Sequence, residues 1–176
     1  MKERKIDPDI RALLKRDRIK YRTALFLQGL SGDERPLLFR LFEEIALGTN
    51  KQREVTEWLE DVRKRDNKSA VDILAELGLK EILDDVMQNG PQKGDLFRDR
   101  LFALRYPEVS RYLDGLKARL NALKLPENVK LVPLTPLEDG EFRMEIVFHS
   151  TEDIQAKLGE VNTLISGKAF QGLWGR

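Results

Sequence analysis

The stretch Phe142-Arg143-Met144-Glu145-Ile146-Val147-Phe148 decides the fold, because it carries the clearest period of two in the chain. Phe142, Met144, Ile146 and Phe148 point to one side of an extended segment. Upstream, residues 129–134 form a second strand candidate bounded by prolines, and Leu137-Glu138-Asp139-Gly140-Glu141 supplies the turn, with Asp139-Gly140 as its tip. Pro133 and Pro136 keep the first strand short or at an edge. Ser150 or Thr151 then caps a final helix carrying Ile154, Leu158, Val161, Leu164 and Ile165. A lone two-stranded hairpin is marginal in water, which leaves two arrangements open. The hairpins of two copies pair edge to edge into a four-stranded sheet with helices on one face, or the strand at 142–148 packs on the helices of residues 95–123 of its own chain.

Outward from the hairpin, the punctuation is helical. Asp7 followed by Pro8 reads as an N-cap with proline at the first helical position, and Ile10, Leu13 and Leu14 recur on one face up to about residue 18. A second helix spans 19–30, with Ala24, Leu25, Leu27 and Leu30 apolar. Ser31 and Glu34 have the capping-box spacing ahead of a stripe of Leu37, Leu38, Leu41, Phe42 and Ile45 that ends at Gly48. Thr49 or Asn50 caps a fourth helix whose buried face is Val55, Trp58, Leu59 and Val62, up to the polar break at 65–68. Short helices at 69–77 and 80–88 are closed by Gly78 and Gly90. Asn89-Gly90-Pro91-Gln92-Lys93-Gly94 concentrates turn formers and is predicted to be a linker between a helical domain, 1–90, and a second part, 91–176. A helix at 95–105 breaks at Tyr106-Pro107, and another follows to residue 123. The tail from residue 166 is expected to be loosely held, apart from packing by Phe170 and Trp174. The fold class is therefore mainly α with a small C-terminal α+β unit, a β-hairpin plus helix.

Composition removes several kinds of chemistry. The 176 residues contain 31 Lys and Arg against 30 Asp and Glu, so bulk charge points to no partner. Cysteine is absent and histidine occurs once, which removes disulfides, thiolate ligands and a thiol nucleophile. No apolar run approaches the roughly 18 residues of a membrane span, and the opening lacks a signal-peptide core, so a cytoplasmic, non-membrane protein is expected. No glycine-rich phosphate loop follows a strand, and no cofactor or metal is expected. His149, Ser150 and Glu152 or Asp153 lie too close along the chain to converge as a triad. The adjacent acids Glu43-Glu44, Asp84-Asp85 and Glu152-Asp153 point about 100° apart on a helix and read as solvated or capping residues. The chain is not expected to be an enzyme.

Charge is segregated along the chain. Residues 1–22 hold nine basic side chains against four acidic, and residues 91–124 eight against four. Arg11, Lys15 and Arg18 share a helix face opposite Ile10 and Leu13, while Lys20 and Arg22 border the next turn. Lys51, Gln52 and Arg53 open the fourth helix, where free N–H groups favour an anion. These eight residues are the predicted contacts to a DNA backbone, positioning it without reading sequence. Arg98 with Arg105, and Arg111 with Lys117, form a second island, in which Tyr106 and Tyr112 read as core or rim. The competing expectation is a helical protein–protein adaptor whose basic faces are simply solvated.

Two stretches carry a family resemblance. Ile10-Arg11-Ala12-Leu13-Leu14 and Ile19-Lys20-Tyr21-Arg22-Thr23-Ala24-Leu25-Phe26-Leu27, followed by Thr49-Asn50-Lys51-Gln52-Arg53-Glu54-Val55, resemble the helices after the helix-turn-helix of ParB-type (ParB/RepB-like) partition proteins. Leu104-Arg105-Tyr106-Pro107-Glu108-Val109, then Leu125-Pro126-Glu127-Asn128-Val129, and Phe142 to Phe148 are similar to the distal region of ParB-like proteins, where a proline-marked helix precedes two strands and a helix. The resemblance spans about residues 7–165. The family's nucleotide-binding domain with its paired-arginine motif has no counterpart, and its helix-turn-helix would lie upstream of Asp7. What the resemblance implies is DNA association, a homodimer, and either a fragment or a shortened relative working with a partner that supplies the missing N-terminal domain. CTP hydrolysis and nuclease activity do not carry over.

Overall fold

The computed structural model describes residues 6–45, 47–134 and 140–174, and the chain divides into two compact units, Met1–Pro107 and Glu108–Arg176. In the first, the apolar stripes become α1 (Pro8–Lys15), α2 (Tyr21–Gly29), α3 (Arg35–Glu44), α4 (Thr49–Asp66), α5 (Ala70–Glu76), α6 (Leu79–Asp84) and α7 (Gly90–Arg105). Ile10, Leu27, Leu38, Leu41, Phe42, Leu59, Ile73 and Phe97 are fully enclosed in one core. Removing such side chains from water is the main stabilising term, roughly 1.5–3 kcal/mol each.

The predicted linker at 89–94 is a helix start. The Asn89 side chain accepts from the Gln92 N–H at 3.0 Å and the Gln92 side chain accepts from the Asn89 N–H at 2.9 Å, a reciprocal cap with Pro91 in the first turn. Gly90 thus opens α7 and does not close the preceding helix, and the units part at Pro107, not near residue 90. Gly94 is required by packing: a Cβ there would stand 2.9 Å from Ile45 Cγ2 and 3.1 Å from Leu47 Cδ2.

The helices α4 and α7 run parallel and in register. Lys51 pairs with Asp95 at 2.6 Å, Glu54 with Arg98 at 3.2 Å and Asp61 with Arg105 at 2.8 Å, each pair 44 residues apart. Trp58 meets Phe102 edge-on at the same offset, ring centroids 5.6 Å apart. A constant offset means that both helices rise together, so the row 51, 54, 58, 61 faces the row 95, 98, 102, 105.

Glu34 ties three helices of this unit. Its buried carboxylate accepts from the Ser31 N–H at 2.9 Å and hydroxyl at 2.8 Å, from the Ala70 N–H at 2.9 Å at the start of α5, and from Arg63 of α4 at 3.2 Å. The predicted Ser31–Glu34 link is present, although the regular helix begins only at Arg35.

In the second unit, α8 (Pro107–Ala122) leads to the antiparallel strands β1 (Val129–Pro133) and β2 (Phe142–Ile146), then α9 (Thr151–Ile165), α10 (Lys168–Gln171) and a 3-10 turn, Gly172–Trp174. The register pairs Val129 with Ile146, Leu131 with Met144 and Pro133 with Phe142. The predicted alternation holds over 142–146, where Phe142, Met144 and Ile146 are half-buried while Arg143 and Glu145 face solvent, but Phe148, expected on the same face, lies past the end of β2 and is exposed. Ser150 caps α9, accepting from the Asp153 N–H at 3.1 Å. The predicted turn lies outside the described residues except for Gly140 and Glu141. Gly140 has φ +62°, and its carbonyl accepts from Trp174 Nε1 at 2.8 Å. Trp174 also stands edge-on to Phe142 and Phe170, each at 5.4 Å, so the tail up to this residue is held by packing.

Burial raises the pKa of Glu34, but the hydrogen bonds from Ser31 and Ala70 together with the Arg63 charge outweigh it and hold the carboxyl below its ordinary value. A lowered carboxyl pKa gives stability that is present above the unfolded value of about 4.3 and lost as pH falls through the lower folded value. Urea denaturation should show Glu34→Gln losing about 2 to 3 kcal/mol at neutral pH, and its acid limb should be shallower than that of the parent chain.

Candidate functional site

The eight predicted DNA contacts separate into three groups. In the first, four cations are taken up by carboxylates or carbonyls of their own unit: Lys20 binds Asp17 at 2.6 Å, Arg22 binds Glu57 at 2.9 Å and Lys51 binds Asp95 at 2.6 Å, and Arg18 is the fourth. Arg16, the residue after the end of α1, binds Glu43 at 2.5 Å. Arg18 caps the end of α3, donating to the Phe42 carbonyl at 3.2 Å and to that of Glu43. Exposed pairs contribute at most about 1 kcal/mol each to stability, but each cancels the local potential that a polyanion would sense.

Gln52 is the second case. It is 1% exposed, and its amide is fully used inside the unit. Its Oε1 accepts from the Lys20 N–H at 2.9 Å and the Thr23 hydroxyl at 3.1 Å, while Nε2 donates to the carbonyls of Arg18 at 2.9 Å and Leu47 at 2.7 Å. A side chain with both ends buried and satisfied cannot reach a phosphate, so the predicted contact at Gln52 is corrected to a staple between α4 and the α1–α2 turn.

Arg11, Lys15 and Arg53 form the third group. They are exposed and have no carboxylate partner among the described residues, Arg11 donating only to the Ile6 carbonyl at 3.1 Å. The cationic ridge expected from α1, α2 and the start of α4 is thus reduced to these three side chains. Lys2, Arg4 and Lys5, which contribute to the basic opening, lie outside the described residues.

Three of the four cations named in the second basic island, Arg98, Arg105 and Arg111, are spent on ion pairs as well. Arg98 holds Glu54 and lies 5.8 Å from the Trp58 ring, while Arg105 holds Asp61 and lies 4.2 Å from the Tyr106 ring. Tyr106 is half-buried against Phe102 at 5.1 Å, the rim role expected of it. Arg111 pairs with Glu108. Beside this cluster an open groove of about 710 Å³ runs between α2 and α4, floored by Leu25, Phe26, Trp58 and Tyr106. Its rim alternates charge, Arg22 with Glu57, Lys64 with Glu60 at 3.4 Å and Arg105 with Asp61, and it contains no histidine, serine or cysteine.

His149, Ser150 and Asp153 meet, but as a helix cap. The Asp153 carboxylate accepts from the His149 backbone N–H at 2.9 Å and from Lys157 at 2.7 Å. Lys157 first, and the His149 N–H second, hold the Asp153 carboxyl below its ordinary value, which favours the ionised form and not a general acid. The acidic pairs do not share faces: Glu43 turns to Arg16, while Glu44 and Asp84 turn to Arg40. Among the described residues no cluster of three His, Asp or Glu is placed to hold a metal, and no helix is long and apolar enough to cross a membrane.

The second unit has a different kind of exposed chemistry, at the hairpin edge predicted as one of two pairing arrangements. The bonds from the Leu134 N–H to the Glu141 carbonyl and from the Val147 N–H to the Asn128 carbonyl, both 2.9 Å, fix which ladder positions exchange hydrogen bonds. Alternation then turns the N–H and C=O groups of Phe142, Met144 and Ile146 away from β1. These six groups have no hydrogen-bond partner among the described residues. Close by in sequence, Val147 and Phe148 are each more than half exposed, and Leu158 and Ile165 of α9 are 50% and 43% exposed. Only Leu116, Leu123, Val129, Val161 and Leu173 are buried in this unit among the described residues.

No protein-family model, curated protein or solved structure matches the chain.

Gln52 separates a structural from a phosphate-binding reading of α4. Gln52→Ala should cost about 3 kcal/mol in urea unfolding, because four buried partners lose their bonds, whereas Arg53→Ala should change stability by less than about 0.5 kcal/mol. Unchanged stability in Gln52→Ala would return the side chain to the surface.

Proposed function

We propose that the chain is a non-enzymatic protein-interaction module that works as a homodimer through its C-terminal unit. The outward backbone row of β2 carries this reading. An edge of three unpaired N–H and three unpaired C=O groups, in a unit that leaves Phe148 and Leu158 exposed, is a template for another strand. A second copy in antiparallel register would satisfy it, giving a four-stranded sheet, and would cover the apolar positions that α9 leaves in water. Ile154, Leu158, Val161 and Ile165 are spaced four, three and four residues apart, the repeat of a helix that packs along another helix.

A second reading, contact with the DNA backbone in a partition-type setting, is favoured by the exposure of Arg11, Lys15 and Arg53 and by the resemblance to ParB-type proteins. The internal ion pairs make it the weaker of the two. Three phosphate contacts give a salt slope of about −2.7, so raising salt from about 50 to 200 mM should weaken binding about 40-fold.

Light scattering after gel filtration tests the first reading. The parent chain should run at twice 20.4 kDa, and Met144→Pro, which deletes an outward N–H while sparing the β1 ladder, should run at 20.4 kDa with an unchanged circular dichroism spectrum. Two monomers at tens of micromolar would contradict it. Duplex DNA titrated in the same buffers tests the second: Arg11→Glu with Lys15→Glu should weaken binding to all sequences alike, and no binding at low salt would remove it.

A further inference from the structure

The opposite edge of the hairpin presents a different surface. A groove of about 450 Å³ runs beside β1, walled by Leu113, Leu116 and Leu120 of α8 and by Leu131 and Val132 of the strand. Lys117 and Lys130 stand on its rim, both exposed and without an ion pair among the described residues, and no carboxylate lines it. Glu145, across the ladder from Lys130, is held by Arg143 at 2.9 Å. The groove is thus apolar along its floor and uniformly cationic at its margin.

The backbone of β1 determines what can fill it. The Val129 N–H is already bonded to the Pro126 carbonyl at 3.1 Å, and Pro133 has no N–H. Leu131 alone keeps both a donor and an acceptor facing outward. This edge is blunted against an added strand, in contrast to β2. Side chains must therefore fill the groove, and the α8 wall from Leu113 to Asn121 is about 12 Å long, which matches two turns of a helix.

We propose that this groove docks a two-turn acidic amphipathic helix from a partner protein. Apolar residues at i, i+3 or i+4, and i+7 rest on the half-buried Leu113, Leu120 and Leu131, and flanking Asp or Glu side chains meet Lys117 and Lys130. The charge margin selects the partner: an acidic helix gains attraction at both lysines, and a basic one is repelled by both. The inference rests on the interaction-module reading and names the class of partner, but it uses the β1 edge and not the β2 edge that pairs copies.

The test uses the full chain and a fluorescein-labelled 14-residue peptide of Leu and Glu with Leu at helical a/d positions, together with a counterpart in which every Glu is Lys. Anisotropy at 0.15 M salt should show the Glu peptide binding at least tenfold more tightly. Lys117→Glu with Lys130→Glu, both solvent-exposed changes, should reverse that order, and Leu120→Gln should weaken both peptides. Equal binding of the two peptides, no binding of either, or an order unchanged in the double variant would overturn the proposal, as would capture of anionic phosphatidylglycerol vesicles with no peptide bound. Light scattering on the same samples separates the failures: a dimer without peptide binding sinks the groove alone, and a monomer sinks the homodimer reading as well.

Discussion

A backbone amide removed from water needs a partner, and in a two-stranded sheet half of each strand's backbone groups point outward and cannot find one in the opposite strand. The C-terminal unit is governed by that constraint. On β1 the chain answers it locally, with Pro133 removing one donor and the Pro126 carbonyl accepting another. On β2 it leaves Phe142, Met144 and Ile146 open, next to apolar side chains that remain in solvent. One edge is closed by chemistry and the other is available, and the functional reading follows from this asymmetry.

The N-terminal unit shows the opposite economy. Its polar groups are turned inward on one another: Glu34 gathers α3, α4 and α5, Gln52 clamps the α1–α2 turn, and the parallel pair α4 and α7 is lined by charges at a fixed offset of 44 residues. A surface built this way has many charges and little net field. It suits specific contact with a folded partner better than long-range attraction of a polyanion, whose affinity depends on uncompensated cations.

The helices and the hairpin were legible in the sequence because their signals are local. Pro8 in the first turn of α1, Ser150 and the alternation at 142–146 each act within a few residues of themselves, whereas the Asp7 carboxylate makes no cap and reaches Arg35. The role of Gln52 was not legible, since a glutamine in the first turn of a helix looks the same whether it faces solvent or reaches 34 residues back to the Arg18 carbonyl. The pairing of the cations was not legible for the same reason: a count along the chain registers Lys51, Arg98 and Arg105 without their partners Asp95, Glu54 and Asp61 across the helix pair. The segment 89–94 failed differently, because Asn, Gly and Pro serve equally to start a helix and to link domains, and only the Gln92 side chain folding back onto Asn89 distinguishes the two. The 44-residue offset of opposite charges between 51–61 and 95–105 was present in the sequence and is the signal that could have revealed the α4–α7 pairing.

Amide hydrogen exchange at Met144, followed by NMR as the protein is diluted, tests the central claim most directly. If β2 pairs with a second copy, the Met144 N–H is protected at high concentration and loses its protection on dilution, while the Val132 N–H, bonded within the hairpin, remains protected throughout. Fast exchange at Met144 at every concentration would show that the β2 edge stays in water and that the unit does not pair through it.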